Sequence, residues 1–171
     1  MTVLSWNRIL VPHDFSPCAD RALAEAVAVA RRQHARLVLF HVTHLPPGLG
    51  PETLISHEET GELVPVGSFA RKGARYRLEE VAGPLRAQGL TVATRAAIGD
   101  TAEEILAVAK SEAIDLIVMG THGRHGLRHI LLGSIAEKII RQATVPVLTV
   151  RSEGEATPTA EELRLADEGA G

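Results

Sequence analysis

The 171-residue sequence predicts an α/β fold, a parallel sheet with helices on both faces. Three observations lead there. Short apolar runs alternate with segments of helical periodicity in the order βα-βα-βα-βα-β, which builds a parallel sheet. The runs are continuously apolar, as strands buried on both faces are. Helix-start residues stand after the runs, Ser-Pro in one case and an acid or hydroxyl three residues before Glu in another.

The first run is "RILVP", Arg8 to Pro12. A helix follows with Ser16 as N-cap and Pro17 at its first position, and its apolar stripe is Ala22, Leu23, Ala26, Val27 and Ala30. Arg36 to Val42 ("RLVLFHV") is the second strand. Residues 44 to 68 break the rhythm with Pro46, Pro47, Gly48, Gly50, Pro51, Gly61, Pro65 and Gly67, and we expect a long mobile loop over 44–67, in the position of a lid. A helix is expected from Phe69 to Gln88, kinked or divided at Gly83-Pro84.

The second half is more regular. Leu90 to Ile98 is a strand, and the helix after it starts with a capping box, either Asp100 with Glu103 or Thr101 with Glu104. Asp115 to Gly120 ("DLIVMG") is a buried strand. A glycine-rich stretch leads into the helix "SIAEKIIRQA", and "VPVLTVR" is the last strand. Residues 1–151 form the folded unit, and 152–171 an acidic, flexible tail.

Composition narrows the function. Aromatic residues are only 3% of the chain, which argues against base-stacking recognition of single-stranded nucleic acid. Of 18 basic and 21 acidic residues, one and six lie after Arg151, so the body is close to neutral and offers no strong nucleic-acid or acidic-lipid surface. No apolar run approaches the length of a membrane span. A single cysteine, Cys18, cannot form an intramolecular disulfide, and a reducing cytoplasm is the expected location.

A sheet of this kind binds ligands beyond the carboxyl ends of its strands, where strand order reverses. Three loops meet that condition: "PHDFSP", "HVTH" and "GTHGRHGLRHILLGS". The last has Gly120 and Gly123 two residues apart, then nine residues before Gly133-Ser134. Glycines allow a ligand close to the backbone, and a helix start supplies free amides and positive potential that suit a phosphate. Ser134 with Glu137 also reads as a capping box, so Ser134 serves as helix cap, phosphate donor or both. The pattern is neither a P-loop nor a dinucleotide fingerprint.

The G-x2-G-x9-G-S spacing after "LIVMG", with "ILVPHDFSP", "LFHV" and the closing "VPVLTVR", resembles the universal stress protein family over Arg8 to Arg151. The resemblance implies a Rossmann-like, adenine nucleotide α-hydrolase-like domain with five parallel strands in the order 3-2-1-4-5, and a homodimer. It also implies an ATP site. Asp14 would contact the ribose, and the backbone at Val42, with Pro12 alongside, would read the adenine edge. Gly120 and Gly123 would lie near ribose and α-phosphate, with Met119 adjoining. Gly133, Ser134 and the amides of Ile135 and Ala136 would hold the outer phosphates, and Arg124 is a phosphate-side candidate. Mg²⁺ would be carried mainly by the phosphates.

His13 stands where many relatives have a small or aliphatic residue, and is expected to point to solvent from the strand end. The other histidines offer no HExxH and no cysteine partner for zinc. No paired carboxylates or triad signature appear, so ATP is expected as a regulatory ligand of a stress-response protein. Alternatives are a nucleotide-free dimeric scaffold, or an adenylating enzyme of the α-hydrolase class, which the glycine-free first loop disfavours. The last strand is apolar and lies at the sheet edge, so dimerisation through Val147, Leu148, Thr149 and Val150 is expected.

Overall fold

The computed structural model describes residues 5–57, 60–121 and 132–151. Five parallel strands form the main sheet: β1 (Arg8–Pro12), β2 (Arg36–Thr43), β5 (Val92–Ile98), β6 (Leu116–Gly120) and β7 (Val147–Val150). Their order is β5-β2-β1-β6-β7, which is 3-2-1-4-5 when only these five are numbered. The expected fold and strand order are both observed.

The apolar runs work because strand side chains alternate between faces. Ile9 and Val11, Leu37 and Leu39, and Leu116 and Val118 go to one face. There they pack with α1 (Pro17–Gln33) and α2 (Val66–Ala87). Leu10, Val38, Phe40, Ile117 and Met119 go to the other. That face is covered by α3 (Thr101–Ser111) and α4 (Ser134–Gln142). Both faces are buried, so the middle of each central strand is apolar and its polar residues, Arg8, Arg36, His41 and Thr43, stand toward the ends.

Helix starts follow local chemistry where a side chain is available. Ser16 caps α1 by accepting from the Ala19 amide at 3.2 Å, with Pro17 at the first position. Asp100 caps α3 by accepting from the Glu103 amide at 3.0 Å, so Asp100 with Glu103 is the right pair. At the opposite end of the sheet, the Asp115 carboxylate accepts from the Asn7 and Arg8 amides at 2.8 and 3.0 Å, tying the start of β1 to β6.

Two expectations need correction. The segment 44–67 contains an antiparallel hairpin, β3 (Leu54–Ser56) and β4 (Leu63–Pro65), with Leu54 opposite Pro65 and Ser56 opposite Leu63. Strands of three residues are too short to show a periodicity. The helix after it starts at Val66, three residues earlier than expected, and runs through Pro84 unbroken. Pro84 has no amide to give the Glu80 carbonyl, but it falls in the last turn, so little of the helix lies beyond the lost bond.

Candidate functional site

The chain leaves β1 for β2 and β5 on one side, then returns to β6 and β7 on the other. The switch point therefore lies between β1 and β6, neighbours about 4.8 Å apart. Pro12, Val42, Met119 and Gly120 stand at the carboxyl ends of β1, β2 and β6. Alternation puts Pro12 on the same face as Leu10, and Val42 and Met119 pack into that same core. Pro12, Val42 and Met119 thus form an apolar shelf beneath the α3/α4 side of the crevice. The starts of α3 and α4 are tied together above it. Lys138 reaches Asp100 at 3.2 Å and Glu103 at 3.3 Å. The Glu103 amide and then Lys138 hold the Asp100 carboxyl below the usual range, and Asp100 in turn raises the Lys138 ammonium.

The loop after β1 is held tightly. Asp14 Oδ1 accepts from the Ser16 amide at 3.1 Å and from the Ser16 hydroxyl at 2.6 Å. The same hydroxyl caps α1, so Ser16 couples the carboxylate to the helix start. Phe15 has φ +64°. A left-handed backbone costs a bulky residue roughly 1–2 kcal/mol, so its neighbours must hold it there. Its amide donates to His13 Nδ1 at 3.2 Å. Its ring centroid lies 5.3 Å from that of His13 and 4.7 Å from that of His41, and the Arg77 guanidinium sits 3.8 Å from it.

His13 is buried, only 2% exposed, which overturns the expectation that it points to solvent. It continues the alternation of Ile9 and Val11, so its side chain turns inward between α1 and the sheet. Its amide donates to Phe40 O at 2.8 Å, and its carbonyl accepts from His41 Nδ1 at 2.7 Å. Its Nε2 faces Asp20 Oδ1 at 3.2 Å, too far off line for a hydrogen bond. Burial pushes the imidazole pKa below its ordinary 6.5, against the opposing pull of Asp20 and Asp14.

The glycine stretch is closed at its base. Thr121 donates its amide to Val150 O at 2.9 Å, and Gly133 donates to Thr121 O at 2.8 Å. Between them, Gly123 and Arg124, with His122, His125, Arg128 and His129, lie outside the described residues. Gly133 is the N-cap of α4, and no side chain caps the helix. Ser134 is its first residue, one position too far in for the expected capping box. The Glu137 amide bonds to Gly133 O at 2.9 Å, and the Glu137 carboxylate pairs with Arg141. Among the described residues, no side chain accepts from the first-turn amides of Ser134, Ile135 and Ala136. Ser134 and Ile135 are exposed and Ala136 is buried.

Gly120 has a packing role as well. A Cβ there would lie 2.6 Å from Cys18 Sγ. The Cys18 thiol is buried and donates to Val150 O at 3.5 Å. With Ser16 bound to Asp14 and Cys18 buried in this packing, neither is presented as a nucleophile. Among the described residues, no three His, Cys, Asp or Glu side chains cluster as metal ligands. Sequence reading missed Phe15, His41 and Arg77 as parts of the site's support, because their contacts join loop, strand and helix.

The model of the universal stress protein family matches residues 5–151. Universal stress protein MJ0531 of Methanocaldococcus jannaschii is 34% identical over 147 residues, covering 85% of this chain and 82% of that protein. MJ0577 of the same organism is 30% identical over 157 residues, covering 85% of this chain and 95% of that one. The solved structure of MJ0577 superposes with a TM-score of 0.73 over 88% of this chain and 99% of that one. UspA from Lactobacillus plantarum superposes with a TM-score of 0.65 at 25% identity, over 87% of this chain and 100% of that one. The strand order and these matches agree, and the chain belongs to the universal stress protein family.

Proposed function

We propose that this protein binds ATP at the β1–β6 switch point and uses it as a regulatory ligand in a stress response. The observation that carries the reading is the start of α4, where among the described residues no side chain caps the first-turn amides. Asp14 stands on the adjoining loop after β1 and the apolar shelf lies below. These parts fit a nucleotide: free helix amides suit phosphates, a carboxylate suits ribose hydroxyls, and an apolar shelf suits a purine.

In this reading Pro12, Val42 and Met119 take the adenine, and Asp14 takes the ribose. Gly120 and Gly123 lie along the ribose and first phosphate. Gly133, Ser134 and the amides of Ile135 and Ala136, with Arg124, take the outer phosphates. Mg²⁺ would neutralise phosphate charge, held by the phosphates and water and by few protein ligands. Asp14 Oδ1 already accepts two hydrogen bonds from Ser16, which suits an orienting acceptor better than a proton-transferring base. We further propose that the protein is a homodimer through β7, whose outer edge has no partner strand among the described residues.

The test is ATP binding by calorimetry in the wild type and in Gly133→Val. A β-branched side chain at the cap would stand in the phosphate path and weaken binding by about tenfold or more. Equal affinity in the two proteins overturns the cradle. A wild type that binds no ATP but remains dimeric favours the nucleotide-free scaffold.

A further inference from the structure

His13 holds the left-handed Phe15 at two points. His13 Nδ1 accepts the Phe15 amide, and the His13 imidazole forms one wall around the ring. His41 and Arg77 supply the other ring contacts. His13 is itself fixed through its amide and carbonyl and is almost fully buried. Asp14 lies between these two residues, so what holds Phe15 sets the backbone from which Asp14 reaches Ser16 and the site.

We propose that His13 is a positioning residue for the nucleotide site, orienting Asp14 through the ring nitrogen that holds the Phe15 amide, and that protonation of this nitrogen weakens nucleotide binding. The inference rests on the reading of the site as an ATP site.

A neutral imidazole has one donor and one acceptor nitrogen. Because Nδ1 accepts from Phe15, the proton sits on Nε2, facing Asp20. A second proton, taken from solvent, sets N–H against N–H, and the Phe15 amide must move away. The charged and titratable groups facing His13 are Asp14 on its own loop, Asp20 on α1 and His41 on β2, with Arg77 of α2 reaching it through the Phe15 ring. The two carboxylates favour the charged ring, while burial and His41 oppose it. Burial is the larger effect, so the ring titrates below its ordinary 6.5 and is neutral near pH 7.

The test uses the full chain with Mg·ATP at about pH 8 and at a pH below the midpoint of the His13 ring titration, located from its ring resonances, in wild type, His13→Asn and His13→Ala. Asparagine offers an acceptor to the amide two residues on and does not titrate. Wild type should lose about tenfold in affinity on acidification beyond any loss shared with His13→Asn, which cancels the titration of ATP itself. His13→Asn should match wild type at the higher pH, and His13→Ala should bind about fivefold to tenfold more weakly there. In the ATP-free protein, the Phe15 amide resonance should shift with the His13 ring titration. An equal pH loss in wild type and His13→Asn, or a Phe15 amide that ignores the titration, overturns the proposal. A wild type that binds no ATP at either pH overturns the nucleotide reading instead, and the Phe15 amide then decides the loop part alone.

Discussion

Gly120 is small for a reason that lies inside the fold. Its added Cβ would meet Cys18 Sγ at 2.6 Å and the Cys18 carbonyl carbon at 3.3 Å, because α1 packs its first turn onto the end of β6. Gly120→Ala should therefore destabilise the protein by about 1–3 kcal/mol with no ligand present. The double variant with Cys18→Ala should recover part of that loss, since it removes the nearer obstacle. Urea unfolding of the four proteins measures both. No recovery in the double variant would mean that Cys18 is not what keeps this position small.

At the scale of elements, α2 is fastened to the edge strand β5 by one charged cluster. Glu79 pairs with Arg86 and accepts from the Thr94 hydroxyl at 2.6 Å, while Arg86 Nε donates to Val92 O at 2.8 Å. Arg86 first, then Thr94, pulls the Glu79 carboxyl down to about 2 from its ordinary 4.5. The folded value is depressed, so the stabilisation is present above about pH 4.5 and is lost as pH falls through about 2. Glu79 is 47% exposed, and solvent screening limits its worth to about 1 kcal/mol or less. Melting curves of wild type and Glu79→Gln should differ at about pH 6 and converge toward about pH 2. Parallel curves over that range would count against the cluster as the source.

The hairpin is fastened differently. The Gly67 amide donates to Pro51 O at 2.8 Å, and a Cβ on Gly67 would lie 2.8 Å from both that oxygen and Pro51 Cβ. Gly67→Ala should push segment 46–65 off the start of α2 while the five-stranded core stays folded. Limited proteolysis should then cut within that segment sooner than in wild type, with little change in melting temperature. Unchanged cleavage would show that the approach relaxes without releasing the hairpin.

At the scale of the molecule, one sheet edge stands out. Among the described residues β7 pairs only with β6, and Leu148 is 40% exposed on it, with Ile135 and Ile140 exposed on the adjoining α4. An apolar edge strand with an unpaired ladder is a template for a second copy. Leu148→Lys should convert the proposed dimer to a monomer at micromolar concentration, read by light scattering, while the sheet stays folded. A dimer that survives the substitution places the interface elsewhere.

The chain by itself determined the alternation of strands and helices, the parallel sheet and the cap at Ser16, and narrowed the cap of α3 to Asp100 or Thr101. Each is encoded in residues a few positions apart, where apolar period and capping chemistry act. Its glycine spacing and the loop containing Asp14 also supply the residues of the proposed site. Tertiary structure decided the rest. It turned His13 inward, placed Arg77 over Phe15, set Cys18 against Gly120, and moved the cap of α4 from Ser134 to Gly133. It also folded a hairpin from three-residue strands that carry no pattern of their own. The physical reason is range. Periodicity and capping are read along the chain, whereas contacts between residues 13 and 41, 15 and 77, or 18 and 120 exist only once the sheet has brought those segments together.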